Sequence, residues 1–159
     1  MNKTIFGNAK IFAQNDIDTD LIIPAKYLTT SDANELGEHA LEALGGFQKA
    51  IRPIIVVAAK NFGCGSSREH AVWALAGANV QAVIAESFAR IFFRNSVNFG
   101  LPTFVLADAT QKFENGDEVE IDSVASVIHN KTKNEKHAVE PLPEFLQEIV
   151  AAGGLLNQI

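Results

Sequence analysis

The residues best equipped for chemistry lie together in Asn61-Phe62-Gly63-Cys64-Gly65-Ser66-Ser67-Arg68-Glu69-His70-Ala71. Two glycines one residue apart permit backbone conformations closed to other residues and let a ligand approach closely. Ser66 and Ser67 fall at the expected start of a helix, where free N–H groups and the helix dipole attract anions. Arg68 adds a planar, permanently charged fork suited to a carboxylate. The segment reads as a turn that binds a carboxylate or a phosphate. Taken alone, the two serines also read as plain caps of the helix. Cys64 offers a rival chemistry, a thiolate activated by the helix start and by His70. It has no second thiol to work with, because Cys64 is the only cysteine in the chain.

Other ligand-binding patterns do not fit. There is no G-x-x-x-x-G-K-[ST] run, so the turn is not a P-loop. Arg68 stands where the dinucleotide fingerprint has its third glycine, and the G-x-S-x-G nucleophile elbow is absent. Asp16-Ile17-Asp18-Thr19-Asp20 opens like a calcium loop. Leu21, however, sits where that loop requires glycine, and Tyr27 where its closing glutamate belongs. These aspartates are expected to cap and fix a loop through bonds to backbone N–H groups, with no metal bound.

The elements around these residues follow from pattern. Lys3–Phe12 reads as a first strand and Asn15–Ala25 as an acidic loop. Ser31 or Asp32 should cap a helix running to Leu44, ended by Gly45-Gly46. Ile54–Ala58 is continuous and β-branched, as a strand buried on both faces should be. A helix from about Ser67 to Ala78 follows the glycine turn, then a strand at Gln81–Ala85. Ser87 should cap a helix through Val97, and Leu101–Leu106 is the next strand. Strand, helix, strand, helix, strand implies an α/β layer with parallel pairing. Beyond it, Asp117–Ile121, Ala125–His129 and Lys136–Val139 are short and alternating, with a turn at Asn130–Asn134. They read as a small antiparallel section. A last helix is expected over Glu144–Ala152, stopped by Gly153-Gly154. The fold class is therefore α/β, a parallel or mixed sheet with flanking helices and an antiparallel part, in a single domain over residues 1–159.

Composition narrows the function classes. Hydrophobic residues make up 47% and charged residues 20% of the 159, an ordinary globular balance that can build a core. The longest apolar runs fall far short of the roughly 20 residues that span a bilayer, and Met1–Gly7 lacks the apolar core of a secretory signal. One cysteine excludes an internal disulfide, a cysteine-based zinc finger and a self-contained iron–sulfur cluster, and fits a reducing cytoplasm. The net charge of -6 disfavours a nucleic-acid binder. Against that background the stretch from Lys60 to Gly100 carries four basic residues and two acidic ones, a local +2, which suits an anionic small ligand.

With these residues in view, Asn61–Ala71 resembles the small subunit of 3-isopropylmalate dehydratase, itself similar to the swivelling β/β/α C-terminal domain of aconitase. The resemblance extends to Asp16–Leu28, Ser87-Phe88-Ala89-Arg90-Ile91-Phe92, Asn98-Phe99-Gly100-Leu101-Pro102 and Ala151–Leu155, essentially the whole chain. It implies a hydro-lyase that moves a hydroxyl between adjacent carbons of a malate-type dicarboxylate. It further implies a [4Fe–4S] cluster held by a separate large subunit, in a heterodimer or heterotetramer, with no cofactor on this chain. Residue by residue, it places the catalytic base at Ser66 and the substrate carboxylate on Ser67 and Arg68. Tyr27-Leu28-Thr29-Thr30 matches the specificity loop, expected to be mobile. Leu28 would offer apolar contact to an isopropyl group. Several isopropylmalate-specific members have arginine where this chain has Thr29, which leaves dimethylmalate, methylmalate-type acids and homoaconitate as alternative substrates. Outside this class, the residues also admit a non-catalytic anion-binding module or a Cys64 redox module.

Overall fold

A β-branched run with no polar position has to be covered on both faces, and Ile54–Ala58 is covered on both: all five residues are buried. The computed structural model describes residues 4–47, 52–141, 144, 147, 148 and 152. Within it Ile54–Ala58 is β2, paired in parallel with β1 (Thr4–Phe12) on one side and β3 (Val80–Ala85) on the other. β4 (Thr103–Val105) adds to β3, also parallel. On the other flank of β1 the pairing turns antiparallel, through β5 (Glu118–Asp122), β6 (Val127–Asn130) and β7 (Glu135–Ala138). One seven-stranded sheet results, in the order β4-β3-β2-β1-β5-β6-β7. The expected antiparallel section is thus a continuation of the parallel sheet.

Side-chain alternation along β2 divides the core. Ile54, Val56 and Ala58 face a helical layer made of α1 (Thr19–Ile22), α2 (Ala33–Gly37), α3 (Glu69–Gly77) and α4 (Arg90–Phe99). Ile55 and Val57 face a second cluster with Phe104, Phe113, Val119, Ile121 and Ile128, beside α5 (Ala109–Lys112). Asn130 pins that second half: its side-chain amide donates to Asp117 Oδ2 at 2.8 Å and to the Lys112 carbonyl at 3.2 Å. Among the described residues no helix is long and apolar enough to cross a membrane.

Several boundaries differ from expectation. Asp32 does cap a helix, accepting from the Asn34 N–H at 2.9 Å, but α2 ends at Gly37 and the chain turns before Leu44. Packing stops it. A methyl group on Gly37 would stand 2.6 Å from the Gly77 carbonyl oxygen, and one on Gly77 would collide with the Ala33 carbonyl, so α2 and α3 touch backbone to backbone. α3 starts two residues later than expected, with Arg68 as its N-cap and no side chain capping it. Ser87 does not cap α4, whose N-cap is Ala89; its hydroxyl instead accepts from the Asn61 N–H at 2.7 Å. The acidic loop contains the short helix α1, and the strand expected over Leu101–Leu106 is confined to β4. Most of the predicted last helix and its glycine stop lie outside the described residues, although Glu144, Gln147 and Glu148 are helical.

Candidate functional site

Parallel strands deliver their C-terminal ends to one edge of the sheet, and ligands of open α/β sheets bind there. Here β1, β2 and β3 run into Asp16–Asp20, Asn61–Arg68 and Ser87–Phe92, so three separated motifs meet at that edge. Backbone bonds join them. The Gly63 N–H donates to the Ile17 carbonyl and the Thr19 N–H to the Cys64 carbonyl, each at 2.8 Å. On the other side the Phe62 N–H donates to the Ser87 carbonyl at 3.1 Å and the Ala89 N–H to the Phe62 carbonyl at 3.0 Å. Ile17 and Phe62 anchor this assembly in the core, both essentially fully buried. The fourth motif, Asn98–Pro102, ends α4 at the opposite edge. There Gly100 terminates the helix with φ 98°.

Asp18 and Asp20 bond to backbone N–H groups as expected, whereas Asp16 bonds to a side chain. Asp18 accepts from the Leu21 N–H at 2.8 Å and caps α1. Asp16 accepts from the Asn61 side-chain amide at 2.9 Å. Asp20 accepts from the Ala25 N–H at 3.2 Å and from Arg68 Nη1 at 3.3 Å.

Ser66 is fixed through its main chain, and its side chain bonds to no described residue. The Thr19 hydroxyl donates to the Ser66 carbonyl at 3.0 Å, while both Ser66 and Ser67 are exposed. No carbonyl of the described residues accepts from the N–H groups of Gly65, Ser66, Ser67 or Arg68. α3 has no side-chain cap immediately beyond, so these consecutive donors adjoin the positive end of a helix. Arg68 spends Nη1 on Asp20 and, at 3.4 Å, on the Ile23 carbonyl. Among the described residues its other donors have no partner, and the side chain is only 21% exposed. The pair with Asp20 orients the guanidinium but, with Asp20 64% exposed, holds it weakly.

Ser66, Ser67 and Arg68 thus lie together against Asp18–Asp20. Leu28 and Thr29 follow on the same segment, one helical turn after Ile23, and reach this cluster through the Arg68–Ile23 bond and not by direct contact. Leu28 is half-buried against the helical core and Thr29 is exposed. Tyr27, expected in a mobile loop, is held by a hydrogen bond to Glu42. Pattern reading did not find Asp20 as the partner of Arg68 or Thr19 as the anchor of Ser66. Both pairs span more than 45 residues, and no local spacing announces them.

Cys64 does not have the surroundings of a nucleophile. Its partial burial and the carboxylates of Asp16 and Asp18 push the thiol pKa up. His70 packs on Trp73, ring centroids 4.6 Å apart. The chain uses the Cys64 backbone, whose carbonyl holds Thr19. Cys64→Ser should therefore keep turnover within about threefold. Alkylation of the wild-type thiol should be slower at pH 7 than that of free cysteine, and accelerate only in the alkaline range where the thiolate forms. Complete inactivation of the serine variant would restore the thiol chemistry.

Comparison with known proteins matches this architecture. The aconitase C-terminal domain family covers residues 6–109, which take in all of the four parallel strands but the first two residues of β1, and all three joined loops. The 3-isopropylmalate dehydratase small subunits of Caldicellulosiruptor bescii and Nautilia profundicola are each 53% identical to this chain, over 95% and 96% of it and 92% of their own lengths. The chain belongs to the 3-isopropylmalate dehydratase small-subunit family. A crystal structure of 3-isopropylmalate dehydratase from Methanocaldococcus jannaschii superposes with a TM-score of 0.86 at 42% identity, covering 97% of this chain and 92% of that one. Family membership thus extends beyond the parallel half to the antiparallel strands.

Proposed function

We propose that this chain is the single-domain small subunit of a cytoplasmic hydro-lyase that interconverts 2-isopropylmalate and 3-isopropylmalate in leucine biosynthesis. The observation that carries the reading is the exposed Ser66, set beside four backbone N–H groups that find no acceptor among the described residues and a partly buried arginine, in a chain 53% identical to such small subunits.

Dehydration of a malate-type acid removes a weakly acidic proton next to a carboxylate and expels a hydroxyl from the neighbouring carbon. The first step needs a base and the second a Lewis acid. This chain's donor set does not fit an iron–sulfur cluster. It has one cysteine, and no three His, Cys, Asp or Glu side chains are gathered for a metal among the described residues. The [4Fe–4S] cluster is accordingly assigned to the larger subunit that the term small subunit implies. What this chain brings is the base and the carboxylate grip. Serine is a poor base unless its anion is stabilised. The N–H groups of Gly65–Arg68 and the α3 dipole supply fixed donors for an alkoxide at Ser66 Oγ. Arg68 and the Ser67 hydroxyl take the substrate carboxylate. Asp20 holds the guanidinium in place and can yield to a better-matched carboxylate.

Leu28 and Thr29 then face the group that distinguishes one malate from another. An apolar Leu28 should favour a branched alkyl group by roughly 1–3 kcal/mol, while Thr29 has no charge to pair with an extra carboxylate. The test is to purify the chain alone and together with the large subunit encoded in the same genome. kcat/KM is then measured for 2-isopropylmalate, 2,3-dimethylmalate, citramalate and homocitrate. The isolated chain should be colourless and inactive, and the assembly should prefer 2-isopropylmalate. Preference for homocitrate would reassign the loop. Visible absorbance and turnover by this chain alone would overturn the division of labour.

A further inference from the structure

The loop assigned above to substrate choice is held by three side chains that the chemistry itself does not use. The Tyr27 and His39 rings stack almost parallel, centroids 3.8 Å apart and planes 5° apart. The Tyr27 hydroxyl donates to Glu42 Oε1 at 2.7 Å, and Glu42 Oε2 lies 3.0 Å from His39 Nδ1. Each side chain therefore touches the other two in a closed ring, with the Lys26 ammonium 5.1 Å from the Tyr27 ring centroid. The bond from Tyr27 holds the Glu42 carboxyl below its usual range, and Glu42 in return pushes the Tyr27 hydroxyl up. Both stay in the acceptor and donor forms that the ring needs at neutral pH.

The backbone beneath is strained in a way that sets the spacing. Between His39 and Glu42, Leu41 sits in the left-handed region at φ 53°, a costly conformation for a leucine. It persists because its side chain is fully buried and its N–H donates to the Ile22 carbonyl at 2.8 Å. Ile22 precedes Ile23, whose carbonyl meets Arg68. One strained turn thus ties the ring to the same short segment that Arg68 grips. Leu28 and Thr29 lie just past the ring.

We propose that His39 and Glu42 are positioning residues which, through Tyr27, fix the loop carrying Leu28 and Thr29 and so set the choice among 2-substituted malates, a proposal resting on the function argued above. The test compares Glu42→Ala with Glu42→Gln in the assembled enzyme. Glu42→Ala removes the acceptor shared by Tyr27 and His39, while Glu42→Gln keeps an acceptor for the hydroxyl. The alanine variant should raise KM for 2-isopropylmalate about fivefold or more with kcat within about twofold, and shrink the preference for isopropyl over methyl substituents by a similar factor. Hydrogen exchange at the Leu28 amide, which donates to the Ala25 carbonyl at 3.1 Å, should speed up. Glu42→Gln should restore most of both. Faster exchange with unchanged preference would show that the loop selects nothing. Unchanged exchange would show that the ring restrains nothing. Either result overturns the proposal. A wild-type assembly that turns over no malate would remove the underlying function, and the proposal with it, a failure visible before any variant is made.

Discussion

Ser66→Ala is expected to lower kcat of the assembled enzyme by at least about 100-fold while leaving fold and assembly untouched. The expectation combines two features. The hydroxyl is exposed and bonds to no described residue, so its removal breaks no stabilising contact. The serine's structural service is rendered by its carbonyl, which accepts from Thr19 and survives the substitution. Because Arg68 and not a serine stands at the N-cap of α3, the stability cost should stay below about 0.5 kcal/mol, less than the loss of a true cap. Thermal unfolding of the isolated variant and gel filtration of the complex check the second half of the statement, and kcat at saturating substrate checks the first. A near-normal kcat would reduce Ser66 to a loop residue.

Gly63→Ala should be the most damaging small substitution in the site loops. Gly63 has φ 85°, a conformation that costs any other residue about 1–2 kcal/mol. A methyl group there would stand 2.7 Å from Phe92 Cδ2 and closer still to Cγ and Cβ. Phe92 is 2% exposed and cannot swing away, because it is locked edge-on against Phe62 at 5.2 Å. Overpacking of this kind adds about 1–3 kcal/mol. The total of about 2–5 kcal/mol corresponds to a fall in Tm of roughly 4–20 °C for a chain of this size. Gly116→Ala is the matched control, since its φ of 92° is similar and nothing lies within 4 Å of the added methyl. Equal losses at the two positions would mean that Phe92 yields and packing contributes nothing.

The sequence and the structure agree where one local rule decides the outcome. The apolar runs at Ile54–Ala58 and Ala82–Ala85 are interior strands, as their composition predicts, and the glycine turn joins a strand to a helix. The agreement fails where a distant element intervenes. Ser31–Leu44 has a good cap, yet the helix ends at Gly37, where its backbone meets Gly77, and the Leu41 N–H turns to the distant Ile22 carbonyl. Ser87 has the type and place of a helix cap, but the Asn61 N–H competes for its hydroxyl. At the site, residue types and order were legible in Gly63–Arg68 and Asp16–Asp20. What was not legible is how they are held. The Arg68–Asp20 pair and the Tyr27–His39–Glu42 ring depend on register across the whole helical layer, which no window of a few residues contains.

The backbone bonds that join the three loops also bear on how the site comes into being. Ile17, Gly63 and Ser87 are far apart along the chain, and closing such spans costs entropy before any contact repays it. None of the three loops can adopt its final path until β1, β2 and β3 lie side by side, so the site is completed only with the sheet itself. A nascent or half-folded chain therefore presents no Ser66 platform. A large subunit that reads this edge would discriminate finished molecules from unfinished ones simply by binding.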